Sequence, residues 1–134
     1  MRVLTVNTGS SSVKLRLLGA RDELLAEREF ESPTVDVDPA ALGAELDALG
    51  PADAIAHRIV HGGERRAAAR LDAGLRAELG ALTPLAPLHQ PKALAAVDAA
   101  FRVRPQLPAV ACFDTAFHAG AVAVSYTHLT LPTN

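Results

Sequence analysis

The sequence predicts an α/β fold, in which a mixed sheet is flanked by helices. The chain opens with two strand-like stretches joined by a short polar turn, which is typical of an antiparallel hairpin. Helical periodicity then alternates with short apolar runs, which favours later strands that cross over helices. With 134 residues, 49% of them apolar, the chain can build one domain with a real core.

The predicted hairpin places a polar turn between its two strands. Residues 3–6 form an apolar run, residues 7–12 read Asn-Thr-Gly-Ser-Ser-Ser, and residues 13–18 alternate apolar side chains with Lys14 and Arg16. Such a turn offers backbone N–H groups, hydroxyls and an ammonium, which together can hold a phosphate. An ordinary surface hairpin is the alternative. A P-loop is excluded, because the second glycine that should precede Lys14 is missing and a strand follows.

A strand, a helix and another strand are predicted after the hairpin. The first covers residues 24–30, whose even-numbered residues share one side. The helix begins at Pro39 with Asp38 as its cap, and Gly50 ends it. Its apolar stripe consists of Leu42, Leu46 and Leu49. The next strand covers residues 54–60 and leads into a Gly-Gly turn.

The second half of the chain predicts two more helices and a last strand. The first of these helices has Asp72 in its first turn and an apolar stripe at helical spacing. The stripe consists of Leu71, Leu75, Leu79 and Leu82. A third helix covers residues 90–102 with Pro91 near its start. Residues 108–113 then form a short apolar strand that ends before Asp114.

Composition and charge exclude several classes of function. The net charge is −2, which argues against nucleic acid or an anionic membrane as the main partner, since both need a basic surface. No apolar run approaches the length of a membrane span, and the N-terminus has no signal-peptide pattern. The single cysteine, Cys112, lies in an apolar run and is expected to be a small buried side chain. We therefore expect a cytoplasmic protein.

Four segments of the chain, taken in order, resemble the acetate kinase family, which includes the propionate kinases. They are Asn-Thr-Gly-Ser-Ser-Ser-Val-Lys at residues 7–14, His-Arg-Ile-Val-His-Gly-Gly-Glu at 57–64, Leu-Ala-Pro-Leu-His-Gln-Pro at 85–91 and Phe-Asp-Thr-Ala-Phe-His at 113–118. Long segments in a fixed order are rare by chance, so the resemblance is specific. It implies the ribonuclease-H-like core of the superfamily that contains actin, Hsp70 and the sugar kinases.

The resemblance assigns residues 1–118 to an incomplete N-terminal domain of this family. Residues 119–134 do not fit the family pattern and have the look of a translated artefact at a truncated end. His128 in this tail is therefore given no role. Family members are much longer and have two domains, so we expect the 134-residue chain to be inactive by itself.

The resemblance also implies ATP and Mg²⁺ as cofactors, bound at the hairpin turn. Lys14 is expected to bind phosphate, together with Ser10 and Ser12. Asn7 ends the first strand, where its amide could orient a phosphate or a metal-bound water, and it is our candidate for the metal site. An Asx turn is the alternative role for Asn7.

The remaining candidate residues concern the acceptor substrate and the transferred group. The resemblance implies that Arg58 binds the substrate carboxylate, for which its planar guanidinium is suited. Val60 and Leu88 match family positions that line the pocket for the small alkyl group. His89 is expected to donate a hydrogen bond near the transferring phosphoryl group. Asp114 is assigned to the active site, near substrate and magnesium.

Structural roles are the alternatives for several of these side chains. Arg58 could be a solvated surface residue, His89 a hydrogen-bonded structural histidine, and Asp114 a helix N-cap. Gln90 stands where the family commonly has Asn, which leaves the geometry of that loop open. His57 and the histidine four residues later have the spacing of a zinc-binding pair, but they lie on a strand and turn, so zinc is excluded.

The resulting hypothesis is a carboxylate kinase that transfers the γ-phosphoryl group of ATP to acetate or propionate, forming an acyl phosphate. Its partners are then ATP and a small carboxylate, and the full-length protein is expected to be a homodimer. Two alternatives stay open. One is a butyrate-kinase-like acyl kinase, and the other is a non-catalytic domain that binds phosphate or a partner.

Overall fold

The computed structural model describes residues 1–63, 65 and 67–113, which form six strands and three α-helices. The elements are, in chain order, β1 Val3–Thr8, β2 Ser12–Leu18, β3 Leu24–Glu31, α1 Pro39–Leu49, β4 Ala54–Arg58, β5 Ala69–Arg70, α2 Ala73–Ala81, α3 Gln90–Val103 and β6 Ala109–Cys112. A short 3-10 helix, Thr83–Leu85, follows α2. The candidate residue Asp114 and the predicted tail, residues 119–134, lie outside the described residues.

The described strands form one mixed sheet with the order β3-β2-β1-β4-β6-β5. β1, β2 and β3 are antiparallel neighbours, as the hairpin pattern predicts. β4 lies parallel to β1 on its other side, and β6 lies parallel to β4. α1 connects β3 to β4 along the chain, whereas α2 and α3 come between β4 and β6. The predicted mixed sheet with flanking helices is therefore confirmed.

The main core lies between one face of the sheet and the helices. α3 occupies the centre of this layer, because it packs against α1, α2, β1 and β4. The helices contribute Leu42, Leu46, Leu49, Leu75, Leu79, Leu94 and Val97, and the strands contribute Leu4, Val6, Val13, Leu15, Leu17 and Ile55. None of the described helices combines the length and apolarity that a bilayer-spanning helix needs.

A smaller buried cluster lies among the strands, separate from the main core. It consists of Val3, Ala56, Val110 and Cys112. Cys112 is 4% exposed, which confirms its predicted burial. Burial raises the pKa of this thiol to about 11, so the thiol is protonated and unreactive at neutral pH.

Local signals set both ends of α1, as predicted. Asp38 accepts a hydrogen bond from the Ala40 N–H at 3.0 Å, which satisfies one of the free donors in the first turn. Gly50 ends the helix with φ at +94°, a conformation that residues with a Cβ rarely adopt. Its N–H donates to the Leu46 carbonyl at 3.2 Å, which satisfies an acceptor in the last turn.

The predicted alternation of side chains in β3 holds for only part of the strand. Across residues 26–30 it pairs in register with β2, and Arg28 reaches over to an ion pair with Glu45 of α1. A register shift then pairs Leu24 with Leu18, so Leu24 does not continue the alternation and is 55% exposed. The prediction for Leu24 is wrong because one extra residue interrupts the pairing at this end of the strand.

The second helix begins later than its leucine pattern predicts. Asp72 is the N-cap, and its carboxylate accepts from the Leu75 N–H at 2.7 Å. Leu71 therefore precedes α2, and its N–H donates to the Ala109 carbonyl at 2.9 Å. Leu71 is nonetheless buried, which explains why it fits the apolar stripe. The two-residue strand β5, which the sequence did not predict, ends immediately before it.

His57 is a buried histidine in the middle of the sheet. It lies between Val6 of β1 and Ala111 of β6 and is 1% exposed. Neither ring nitrogen has a hydrogen-bond partner in the described part of the chain. Burial lowers the pKa of His57 from 6.5 to about 4, a shift that the negative charge of Asp98 only partly opposes. The imidazole is therefore neutral at physiological pH.

The stability of the fold should consequently fall in mild acid. Between pH 6.5 and about 4 the unfolded His57 binds a proton that the folded His57 does not, so unfolding is favoured as the pH falls. We expect His57 to lower the free energy of unfolding by about 2 kcal/mol on going from pH ~7.5 to pH ~5. Urea unfolding at both pH values, compared with His57→Leu, isolates this contribution from that of the carboxylates. An equal pH dependence in the two proteins would contradict it.

Candidate active site

The carboxyl ends of the parallel strands meet at one edge of the sheet. Asn7 of β1 pairs with Lys14 of β2, and Arg58 of β4 pairs with Cys112 of β6. Val6 pairs with His57, so the next residues along, Asn7 and Arg58, lie side by side. Lys14, Asn7, Arg58 and Cys112 therefore occupy one row across four strands, which we call the carboxyl-edge row. Ligands of open α/β sheets bind at this edge.

The turn between β1 and β2 exposes donors and engages its acceptors. The Gly9 N–H donates to the Ser12 carbonyl at 2.8 Å, and the Ser32 N–H donates to the Ser11 carbonyl at 2.8 Å. The Ser10 carbonyl accepts from the Lys92 ammonium at 3.2 Å. The N–H groups of Ser10 and Ser11 have no acceptor among the described residues. Adjacent free N–H groups of this kind make an anion-binding concavity.

The two serines proposed for phosphate binding differ in their surroundings. Ser10 is exposed at the tip of the turn. The Ser12 hydroxyl donates to Glu29 Oε2 of β3 at 3.0 Å. A phosphate that takes the Ser12 hydroxyl must therefore displace a carboxylate from it, whereas Ser10 needs no such exchange. The roles of both residues stay predictions.

The two cations of the carboxyl-edge row, Lys14 and Arg58, form no ion pair with a described carboxylate. Arg58 is partly buried, as are Arg76 and Arg104. Arg76 makes two parallel hydrogen bonds of 2.9 Å to Asp98, and Arg104 is ion-paired as well. Arg58 and Lys14, in contrast, make no hydrogen bond or ion pair with any residue that the structure describes. Within the described part of the chain, no ion pair therefore competes with an anion for these two charges.

Apolar and imidazole groups border the row on the side of α3. Val60 is 49% exposed and Leu88 is 84% exposed, although both are apolar. His89 is the N-cap residue of α3, its side chain makes no capping hydrogen bond, and the residue is exposed. Its backbone N–H donates to the Ala86 carbonyl at 3.2 Å, which fixes the loop. The ring of His89 can therefore turn towards a ligand.

Gln90 brings these two loops together. It is fully buried, its Oε1 accepts from the His61 N–H at 3.2 Å, and its Nε2 donates to the His61 carbonyl at 3.0 Å. Nε2 also donates to the Leu79 carbonyl at the end of α2, again at 3.0 Å. The segment with Val60 is thereby held beside the one with Leu88. Sequence reasoning noted Gln90 only as a departure from the family pattern; a buried amide with three backbone partners has no local signal.

Metal ligands are sparse among the described residues. Residues 1–63, 65 and 67–113 contain no group of three His, Cys, Asp or Glu side chains that could enclose a metal ion. Asn7 offers one exposed amide oxygen at the row. His57 is buried within the sheet, whereas His61 lies in the turn after β4. Asp114 is not among the described residues, so its role stays a prediction.

Comparison with known proteins gives consistent matches. A family model described as the Acetokinase family matches residues 41–134. The acetate kinase of Streptomyces coelicolor is 41% identical over 150 residues, covering 87% of this chain and 37% of that protein. The acetate kinase of Deinococcus deserti is 42% identical over 146 residues, which cover 88% of this chain and 36% of that protein. The chain thus spans little more than a third of the length of these relatives, and the boundary at residue 118 stays a prediction.

A solved structure supports the same fold. The crystal structure of Porphyromonas gingivalis acetate kinase matches with a TM-score of 0.69 and 28% identity, covering 87% of this chain and 38% of that one. The expected ribonuclease-H-like mixed sheet is therefore confirmed.

Replacing Gln90 should loosen the turn after β4. Gln90→Leu keeps the volume but leaves the His61 N–H and the His61 carbonyl without partners, and the Leu79 carbonyl keeps only the Leu82 N–H. We expect a loss of about 2–4 kcal/mol in unfolding free energy, because buried unpaired polar groups are costly. Hydrogen exchange should also become faster at the His61 amide. Gln106→Leu, at an exposed site after α3, is the matched control; equal stability of the two variants would contradict the role of Gln90.

Proposed function

Because the chain belongs to the acetokinase family, we propose that its carboxyl edge is one wall of a carboxylate kinase site. At this site the γ-phosphoryl group of ATP is transferred to acetate or propionate, which gives an acyl phosphate and ADP. The proposal concerns a protein of the length of the relatives, of which this chain spans about a third.

One observation carries the proposal: donors and cations at the carboxyl edge have no partners among the residues that the structure describes. The N–H groups of Ser10 and Ser11 have no acceptor among the described residues, and Lys14 forms no ion pair with a described carboxylate, although Glu29 is its cross-strand neighbour. Phosphate oxygens would satisfy all three groups, since anions favour N–H concavities with a nearby ammonium. These residues therefore fit the phosphates of ATP.

Mg²⁺ fits this edge as an ion held mainly through the phosphates. It prefers six oxygen ligands, keeps several waters, and commonly takes few protein ligands beside a nucleotide. The Asn7 amide oxygen, next to Lys14 in the row, suits a water of that coordination shell. When bound, the ion would neutralise part of the phosphate charge. Asp114 is the proposed second contributor, on the strength of the sequence alone.

The acceptor substrate would bind beside the phosphates, at Arg58. Its guanidinium can form two parallel hydrogen bonds to a carboxylate, and no described residue competes for it. Val60 and Leu88 offer exposed apolar surface for a short alkyl group, on loops that Gln90 joins. Water leaves such a surface readily when an alkyl group covers it.

The chemistry then demands little of the protein beyond positioning and charge. A carboxylate oxygen attacks the γ-phosphorus, the bond from that phosphorus to the β-phosphate oxygen breaks, and ADP leaves. The attacking carboxylate is already ionised at neutral pH, so no base is needed. Lys14, Arg58 and the proposed donor His89 would stabilise charge on the transferring group, which is the main source of catalysis in phosphoryl transfer. A homodimeric, cytoplasmic enzyme is part of the proposal.

Arg58→Lys should impair use of the carboxylate. Lysine keeps the charge but loses the two-point geometry, so we expect kcat/KM for acetate to fall roughly a hundredfold in the full-length enzyme. Acyl phosphate trapped as its hydroxamate is the measurement. Arg102→Lys, an exposed arginine in the last turn of α3, is the control. An unchanged kcat/KM in Arg58→Lys would remove Arg58 from the site.

The 134-residue chain alone should form no acyl phosphate. Its edge supplies one wall, and water on the open side weakens each charge contact several-fold. The same hydroxamate assay, run with acetate, propionate and butyrate on the chain and on the full-length enzyme, tests this. Turnover by the chain alone would refute the one-wall arrangement. Failure of the full-length enzyme with all three acids would favour the non-catalytic binding domain.

A further inference from the structure

Both lysines of this chain lie near the turn between β1 and β2. The sequence contains two lysines, Lys14 and Lys92, against eleven arginines. Lys14 stands in the carboxyl-edge row, and Lys92 lies in the first turn of α3. The Lys92 ammonium donates to the Ser10 carbonyl at 3.2 Å and also to the Ser32 carbonyl. An ammonium is compact enough to be enclosed between backbone carbonyls, where a planar guanidinium would not fit as easily.

Lys92 is a buried charge with no counter-charge among the described residues. It is 4% exposed, and both of its partners are neutral carbonyl oxygens. No described carboxylate forms an ion pair with it. Glu29, which belongs to the same end of the sheet, is bound by the Ser12 hydroxyl instead. Desolvation lowers the pKa of Lys92 from its usual value.

These contacts determine which way the turn faces. Lys92 holds the Ser10 carbonyl from the helix side of the sheet, and the Ser32 N–H holds the Ser11 carbonyl. These carbonyls are engaged by the protein, whereas the N–H groups of Ser10 and Ser11 find no acceptor in the described part of the chain. Ser32 is itself buried and is tied to Lys92 through its carbonyl. One ammonium thus joins the β1–β2 turn, the segment after β3, and α3.

We propose that Lys92 is a positioning residue for polyphosphate binding, which holds the turn with its N–H groups outward and places a buried positive charge beneath it. The inference rests on the proposed function, since it concerns the turn assigned to the phosphates of ATP. Lys92 does not touch the ligand in this arrangement. An anion on the turn supplies the counter-charge that the described protein lacks, so ligand binding and the charge on Lys92 favour each other.

Because the chain has only two lysines, their side-chain NMR signals can be followed separately, which gives a direct test of the role of Lys92. In the 134-residue chain labelled only at lysine, NMR should show two side-chain signals, which Lys14→Arg and Lys92→Arg assign. Inorganic tripolyphosphate, titrated at constant ionic strength, is the probe. We expect both signals to shift with one dissociation constant, and the pKa of Lys92 to rise when the probe is bound. A residue with a merely structural role would keep the same pKa.

A pair of variants measures the size of the effect. Lys92→Met keeps the length of the side chain but removes its charge and hydrogen bonds, and we expect calorimetry to show tripolyphosphate binding weakened about tenfold. Arg102→Met removes one positive charge from the far end of the same helix and should bind like the original chain. Circular dichroism confirms that each variant is folded. The lysine titration is measured on the unmutated chain, and Lys14→Arg alone is enough to assign its two signals, so the test survives if Lys92→Met does not fold.

The outcomes separate the two proposals. If the Lys14 signal moves while the pKa of Lys92 stays the same with and without the probe, the inference about Lys92 is wrong and the phosphate turn stands. If neither signal moves and no heat of binding is detected, the phosphate turn itself is wrong, and the inference falls with it.

Discussion

The parallel pairing of β1 with β4 is the constraint on which the rest of this structure depends. It joins the hairpin at the start of the chain to a strand that begins at Ala54, and it brings Asn7 level with Arg58. Because α3 runs back from the carboxyl edge towards the start of β6, its first turn also comes to that edge. The hairpin turn, the end of β4 and the start of α3 are therefore neighbours for one topological reason.

Elements with local signals could be predicted from the sequence. The hairpin follows from two strand patterns around a turn, and α1 from its cap at Asp38, its leucines and its stop at Gly50. Each of these signals acts within a few residues, so tertiary contacts need not be known. The candidate residues came instead from the resemblance to a family, and the register then places Lys14 and Arg58 in one row.

What the sequence could not predict depends on tertiary contacts. β5 has two residues, too few for any periodicity, and exists because β6 offers an edge. Leu71 fits a helical stripe but is buried beside a strand, since apolar spacing does not show what covers a side chain. In the sequence, Gln90 and Lys92 have the pattern of exposed polar residues at the start of a helix. In the structure both are buried, because the loops whose backbone groups they bind enclose them. Polar side chains are buried where distant backbone groups need partners.

The contact between Lys92 and Ser10 also has a consequence for the order in which the chain is made. The two residues are 82 positions apart, so a ribosome completes the hairpin long before Lys92 leaves the exit tunnel. The hairpin strands can pair as soon as they emerge, because their contacts are local. At their tip, the Ser11 carbonyl can bind the Ser32 N–H early, but the Ser10 carbonyl must wait for the start of α3. A nascent chain therefore carries the hairpin before its turn has the conformation described here, which is complete only once the helix layer has formed.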